Sequence, residues 1–212
     1  MTVSSLPLET FARNLSSADP TPGGGSASAS VGAFAAALVR MVAALTAGSP
    51  KFQDAAGRAT EIGEAAQRLM ESLLRSVDDD VTAFDAVTAA FKLPKSTDAE
   101  KAARTAAIQD ALRAATEPPM RVVEASVEAC RLAAELVDFG NPNAISDVGC
   151  AALFAGAAAQ GAALNVGINT KGFKDREAAE AYATRTRHAL AQIDLLTEVV
   201  LGKVQASVQV GA

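Results

Sequence analysis

The sequence predicts an all-α protein, a single-domain helical bundle with long central helices. Three observations predict it. Apolar residues recur at helical spacing along most of the chain, and alternating β-branched runs are few. Alanine is abundant throughout, and it is the strongest helix former. Two segments, Ala27 to Leu45 and Val148 to Ile168, are rich in small residues and carry a single charge between them, Arg40. Small side chains let helices pack backbone to backbone, and helices this apolar are poor at facing water alone. That predicts a dimer as well as a bundle.

The elements follow in order. A first helix runs from about Pro7 to Leu15, with Leu8, Phe11 and Leu15 on one face. Pro20-Thr21-Pro22-Gly23-Gly24-Gly25-Ser26 is a stop and a flexible turn, with Ser26 as a candidate N-cap for a second helix, Ala27 to Ala47. A third helix spans about Phe52 to Phe91, with Gly57 and Gly63 as candidate breaks, and Leu93-Pro94-Lys95 ends it. Thr97-x-x-Glu100 is a capping-box pattern and opens a fourth helix to about Ala115. Pro118 and Pro119 stop that helix and seed a fifth, which ends at Gly140. After the loop Asn141-Pro142-Asn143, Ser146 is placed to cap a sixth helix to about Ile168. Lys171-Gly172 is a turn. Asp175 opens the seventh helix, to about Val208, with Ala179, Tyr182, Thr186, Leu190, Ile193, Val200 and Val204 on its buried side.

With 212 residues and half of them apolar, the chain can bury one substantial core, and no composition break divides residues 1–212. A net charge of −5 without a Lys/Arg block argues against nucleic acid. The two alanine-rich segments lack the Leu/Ile/Val content of membrane spans, so no membrane is expected. The first residues lack a basic start followed by an apolar run, and nothing calls for an oxidising compartment; a cytoplasmic location is expected. Cys130 and Cys150 have neither zinc-ligand spacing nor a disulfide framework and read as small core residues. With the single histidine, His188, on a polar stretch of helix, no metal site is expected.

One acid stands apart. At about 100° per residue, Ile62, Leu69, Leu73, Val77, Phe84, Val87 and Phe91 form one stripe of the third helix, and Asp80 falls inside it. Asp78, Asp79 and Asp85 point away, as a solvated face would. A carboxylate on an apolar stripe needs compensation. Asp80 is therefore either a structural acid with a buried donor or part of a site. Asn141, Asn143, Ser146 and Asp147 form a polar cluster that helix capping alone would explain. Asn165, within an apolar helix, needs a backbone group or a ligand as partner. Lys51 and Lys95 sit at helix boundaries beside Pro50 and Pro94, where surface lysines are common. The glycine run allows a close backbone approach and leaves free N–H groups that suit an anion.

Taken in order, these motifs resemble the cyclodeaminase/cyclohydrolase family. The resemblance rests on the run from Pro20 to Ser26, then Gly32-Ala33 with Ala36-Ala37-Leu38-Val39, Met41-Val42 and Leu45-Thr46. Asp78 and Asp80 with Ala83-Phe84 come next, followed by Leu93-Pro94-Lys95, Gly140-Asn141 through Ser146-Asp147, and Asn165-Val166 with Ile168-Asn169. It covers nearly the whole chain. It implies an all-helical homodimer that binds a folate in a groove at or near the dimer interface, with no metal or redox cofactor. It implies Asp80 as the catalytic acid/base, and Gly23, Gly24, Gly25, Ser26, Lys51, Lys95, Asn141, Asp147 and Asn165 as substrate contacts or their supports. Where many relatives carry a basic run, this chain has Ser49-Pro50-Lys51-Phe52, with Lys51 as its one charge.

The implied reaction is hydrolysis of 5,10-methenyltetrahydrofolate to 10-formyltetrahydrofolate. A carboxylate beside the cationic bridge can stabilise it and accept a proton from water. Cyclodeamination of 5-formiminotetrahydrofolate, with loss of ammonia, is the alternative, and a one-domain chain favours the hydrolase. A non-catalytic folate-binding dimer is the third possibility.

Overall fold

Small residues decide the architecture of this chain. The computed structural model describes residues 2–208, in six α-helices: α1 Leu8–Leu15, α2 Gly24–Ala47, α3 Gln53–Phe91, α4 Asp98–Leu136, α5 Ile145–Lys171 and α6 Arg176–Val208. Among the described residues there is no strand. α2 is central. At Gly32 a Cβ would lie 3.2 Å from Leu73 of α3, 3.3 Å from Ser126 of α4 and 3.4 Å from Ala158 of α5. One glycine thus meets three helices at one level. α6 covers the far side, against α4 and α5.

Successive long helices run antiparallel. Gly25 of α2 meets Asp80 of α3, while Ala43 meets Gly63. Gly24 lies beside Asn165 of α5, while at the other end Thr46 accepts from the Asn141 N–H at 2.9 Å. The core is built from Ala29, Ala36, Val39 and Val42 of α2 with Ile62, Leu73, Val123, Leu132, Val148 and Ile193. α2 and the stretch Pro142–Lys171 are long and apolar enough to cross a membrane by length and composition. In this fold α2 instead packs one face against α3, α4 and α5.

The structure bears out several boundaries and corrects others. Thr97 and Glu100 form the full capping box of α4. Asp175 Oδ1 accepts from the Ala178 N–H at 3.0 Å at the start of α6, whose Ala179, Thr186, Ile193, Val200 and Val204 are buried as expected. α3 passes through Gly57 and Gly63 without a break.

The predicted fourth and fifth helices are one. α4 runs through Pro118 and Pro119, both buried. A proline inside a helix leaves the carbonyl four residues earlier without its usual donor. For Pro119 that carbonyl belongs to Ala115, and the Asn169 side chain of α5 donates to it at 2.7 Å. The repair comes from another helix, so the local sequence reads as a break.

Ser146 does not cap α5. Pro142 starts a short 3-10 turn, Pro142–Ala144, in which Asn141 Oδ1 accepts from the Asn143 N–H at 3.0 Å, and α5 is already under way at Ile145. Phe84 and Phe91, expected on the buried stripe of α3, are 41% and 51% exposed. α2 begins opposite Asp80, so α3 beyond that point has no α2 to cover it. Asp78 is not a solvated acid either: it accepts from the Ser4 N–H at 3.1 Å and the Ser4 hydroxyl at 2.5 Å. Cys130 is buried, but Cys150 is exposed on α5, against the expectation that both are core.

Candidate active site

The glycine run is not a loose turn before a helix but the first turn of the helix itself. Gly23 is the N-cap of α2 and Gly24, Gly25 and Ser26 are its first three residues. No side chain of the segment caps it. The cap comes from α3. Asp80 Oδ2 accepts the Ser26 N–H at 2.8 Å and the Ser26 hydroxyl at 2.8 Å. A carboxylate at this position also benefits from the positive end of the helix dipole. Ser26 is therefore not the N-cap. It is fully buried, and its hydroxyl has a second acceptor, the Val77 carbonyl at 3.2 Å.

Gly25 is what lets Asp80 arrive. A Cβ on residue 25 would sit 2.1 Å from Asp80 Oδ1 and 2.6 Å from its Cγ. Oδ1 accepts no hydrogen bond among the described residues, and it is not sealed from solvent. The carboxylate is thus held by one oxygen and open at the other. Burial pushes the Asp80 carboxyl above its ordinary value, and the two Ser26 hydrogen bonds pull against that without cancelling it. Such a group is a stronger base than a surface carboxylate.

Asn165 joins this end of the molecule. Its Nδ2 donates to the Gly161 carbonyl at 3.0 Å, and a Cβ on Gly24 would lie 3.7 Å from that nitrogen. Its Oδ1 has no partner among the described residues. The N–H groups of Gly24 and Gly25 likewise have no acceptor there. One basic carboxylate oxygen, one amide oxygen and two backbone donors thus lie without partners among the described residues at the end of the bundle where α2, α3 and α5 meet. Asp79, next to Asp80, pairs instead with Arg121 on the surface at 2.5 Å.

The other residues singled out by sequence lie elsewhere in the chain. Lys51 is exposed just beyond the C-terminal end of α2, and Asn141 is tied to Thr46 at that same end. Asp147 stands in the first turn of α5, half-buried. Ser26, which holds Asp80, and Thr46, which holds Asn141, stand near opposite ends of α2, so about 30 Å of helix separates this group from Asp80. Lys95 is exposed in the connection between α3 and α4. A single chain thus brings Gly23, Gly24, Gly25, Ser26, Asp80 and Asn165 together, and keeps Lys51, Lys95, Asn141 and Asp147 apart from them. The Val77 and Gly161 carbonyls are participants that no sequence pattern announces. Among the described residues no three histidine, cysteine, aspartate or glutamate side chains gather as a metal site.

Comparison with known proteins gives the family of the chain. A family model described as formiminotransferase-cyclodeaminase matches residues 7–188. Methenyltetrahydrofolate cyclohydrolase of Methylorubrum extorquens is 43% identical over 95% of this chain and 97% of its own length. Formimidoyltransferase-cyclodeaminase of Rattus norvegicus is 33% identical over 97% of this chain, which spans 36% of that longer protein. The crystal structure of formiminotetrahydrofolate cyclodeaminase from Thermotoga maritima superposes with a TM-score of 0.88 at 30% identity, covering 97% of this chain and 99% of the other. The family model and the relatives together show that this chain belongs to the formiminotransferase-cyclodeaminase family.

Proposed function

We propose that this protein is a methenyltetrahydrofolate cyclohydrolase, converting 5,10-methenyltetrahydrofolate to 10-formyltetrahydrofolate in one-carbon metabolism. The observation that carries the reading is Asp80, half-buried, pinned through Oδ2 and open at Oδ1. Water attacks the cationic bridge carbon as Asp80 Oδ1 takes one of its protons. The bond from that carbon to N5 then breaks, N5 takes up a proton, and the formyl group stays on N10. The product is neutral at the former amidinium, and one proton is released overall. The reaction as written requires neither a metal nor a redox cofactor. The relative in Methylorubrum extorquens, matched along almost its whole length, supports the same substrate.

A second reading, cyclodeamination of 5-formiminotetrahydrofolate, is favoured by the likeness to the Thermotoga maritima structure. That reaction needs a proton donor for the departing amine. Asp80 is the titratable group at this end of α2; Ser26 and Asn165 are not acids. Hydrolysis must likewise protonate N5, and Asp80 can carry a proton in either reaction; what favours hydrolysis is the higher identity to the Methylorubrum extorquens cyclohydrolase, 43% against 30% for the Thermotoga maritima protein. Both substrates can be compared on one preparation, with the non-enzymatic hydrolysis subtracted. Ammonia release faster than formyl product would reverse the assignment.

A homodimer and a cytoplasmic location belong to this proposal. α2 exposes Phe34 and Leu45, and the neighbouring α5 exposes Leu153, Leu164 and Ile168, with Leu164 at 77% and Ile168 at 65%. Apolar surface of this kind marks an interface. A two-fold axis across α2 runs the two copies antiparallel. That arrangement brings the end of one protomer carrying Lys51, Asn141 and Asp147 towards the Asp80 end of the other, and so supports their role with an anionic folate tail. Lys95 is proposed for the same tail.

A further inference from the structure

Ser26 spends everything it can donate on Asp80. Its N–H and its hydroxyl both reach the same oxygen, Oδ2, at 2.8 Å each, and the residue is fully buried. It therefore lies behind the acid and has no face left for a substrate. The hydroxyl has one proton and two acceptors in range, Asp80 Oδ2 and, at 3.2 Å, the Val77 carbonyl. The other carboxylate oxygen, Oδ1, lies over Gly25, and no side chain there can cover it.

We infer that Ser26 is a positioning residue for Asp80: it pins Oδ2 and thereby makes Oδ1 the atom that takes the proton. The inference rests on the cyclohydrolase reading for its catalytic meaning, and on geometry alone for its chemistry. Two donors on Oδ2 lower the basicity of that oxygen, so a proton arriving from water goes to Oδ1. As Oδ1 becomes O–H, Oδ2 turns into a carbonyl oxygen and attracts the serine proton less. The hydroxyl can then turn to the Val77 carbonyl, while the Ser26 N–H stays on Oδ2. Both protonation states of Asp80 keep hydrogen-bond partners, with no backbone movement. The Ser26 hydroxyl also favours the charged form, so it limits how far burial raises the acid.

The test uses Ser26→Ala and Ser26→Thr in the full chain, with the Asp80 carboxyl carbon followed by ¹³C NMR titration and assigned by its loss in Asp80→Asn. Alanine keeps the N–H and removes the hydroxyl. The expected result is an Asp80 midpoint raised by about one pH unit in Ser26→Ala, and near the wild-type value in Ser26→Thr. The acid limb of kcat/KM for methenyltetrahydrofolate should move up with it, and kcat above the limb should fall about ten- to a hundredfold. An Asp80 midpoint that Ser26→Ala leaves unmoved overturns the inference. So does a raised midpoint that Ser26→Thr, folded by circular dichroism, fails to restore. If Ser26→Ala does not fold, the Ser26→Thr midpoint decides, since a hydroxyl-dependent value must be kept there. The titration needs no turnover, so an inactive wild type would defeat the cyclohydrolase reading and leave the positioning result standing on its own.

Discussion

Asp80 Oδ1 lies where the side chain of residue 25 would begin, 2.1 Å from the position of a Cβ on Gly25. The residue opposite the acid must have no side chain, and this ties the glycine run directly to the carboxylate. In Gly25→Ala the flexible partner is the Asp80 side chain, which must rotate and break its bonds to Ser26. The expected outcome is a modest loss of stability, about 1–3 kcal/mol, with a loss of turnover of about a hundredfold. Thermal melts beside steady-state rates check this. Wild-type kinetics in Gly25→Ala would mean that the carboxylate does not need this seat.

The Asn169 side chain and the Ala115 carbonyl, 2.7 Å apart, carry the continuity of α4 past its prolines. Asn169→Ala leaves a carbonyl beside buried prolines without a donor, and should cost about 1–3 kcal/mol. Asn169→Asp should be at least as damaging near neutral pH, because a carboxylate cannot donate and would face an oxygen. Urea denaturation measures both. A loss smaller than about 0.5 kcal/mol in each would show that solvent satisfies Ala115 instead.

Asp80 should also set a pH dependence of stability. Its folded-state pKa is raised by burial, so the folded protein holds the proton more tightly than the unfolded chain. The linked stability is fully present below the ordinary aspartate pKa. It is lost as pH rises through the raised folded value, and the deficit then stays constant towards neutrality. Asp80→Asn removes that deficit while its amide oxygen still accepts from Ser26. Its Tm should therefore equal or exceed wild type at pH 7, and the difference should shrink in acid. A Tm at pH 7 clearly below wild type would contradict the sign.

Gly57 provides a contrast with Gly25. It sits exposed within α3, and a Cβ there meets nothing within 4 Å. Gly57→Ala should stabilise the protein by about 0.5–1 kcal/mol through helix propensity, with turnover unchanged. A denaturation midpoint at or below wild type would show that the unbroken course of α3 through this glycine depends on something other than propensity.

The helices were legible where their causes are local. Periodicity located α1, α3 and α6, and the Thr97–Glu100 box marked the start of α4 to the residue. Asp80 was legible as an acid on an apolar stripe, with its donor unspecified. The rest depended on partners distant in the chain. The cap of α2 comes from Asp80, 54 residues away, so Ser26 looked like its own cap. The repair of the proline pair comes from Asn169, 54 residues after Ala115, so α4 looked like two helices. Phe84 and Phe91 followed the stripe faithfully, but the stripe does not say where the covering helix begins. Lys51 and Asp80 were both candidate site residues, yet order along the chain did not show that α2 holds them at opposite ends.

The most direct measurement is the initial rate of 5,10-methenyltetrahydrofolate hydrolysis, followed by absorbance, for wild type, Asp80→Asn and Asp79→Asn in one buffer. The spontaneous rate in that buffer is subtracted. Asp79 pairs with Arg121 on the surface and has no role in the site, so Asp79→Asn should match wild type. Asp80→Asn should lose about 10²–10⁴-fold, the usual share of a general base, with its fold intact by circular dichroism. Equal rates in the two variants, or wild-type turnover in Asp80→Asn, would contradict the assignment of Asp80 as the base of a cyclohydrolase.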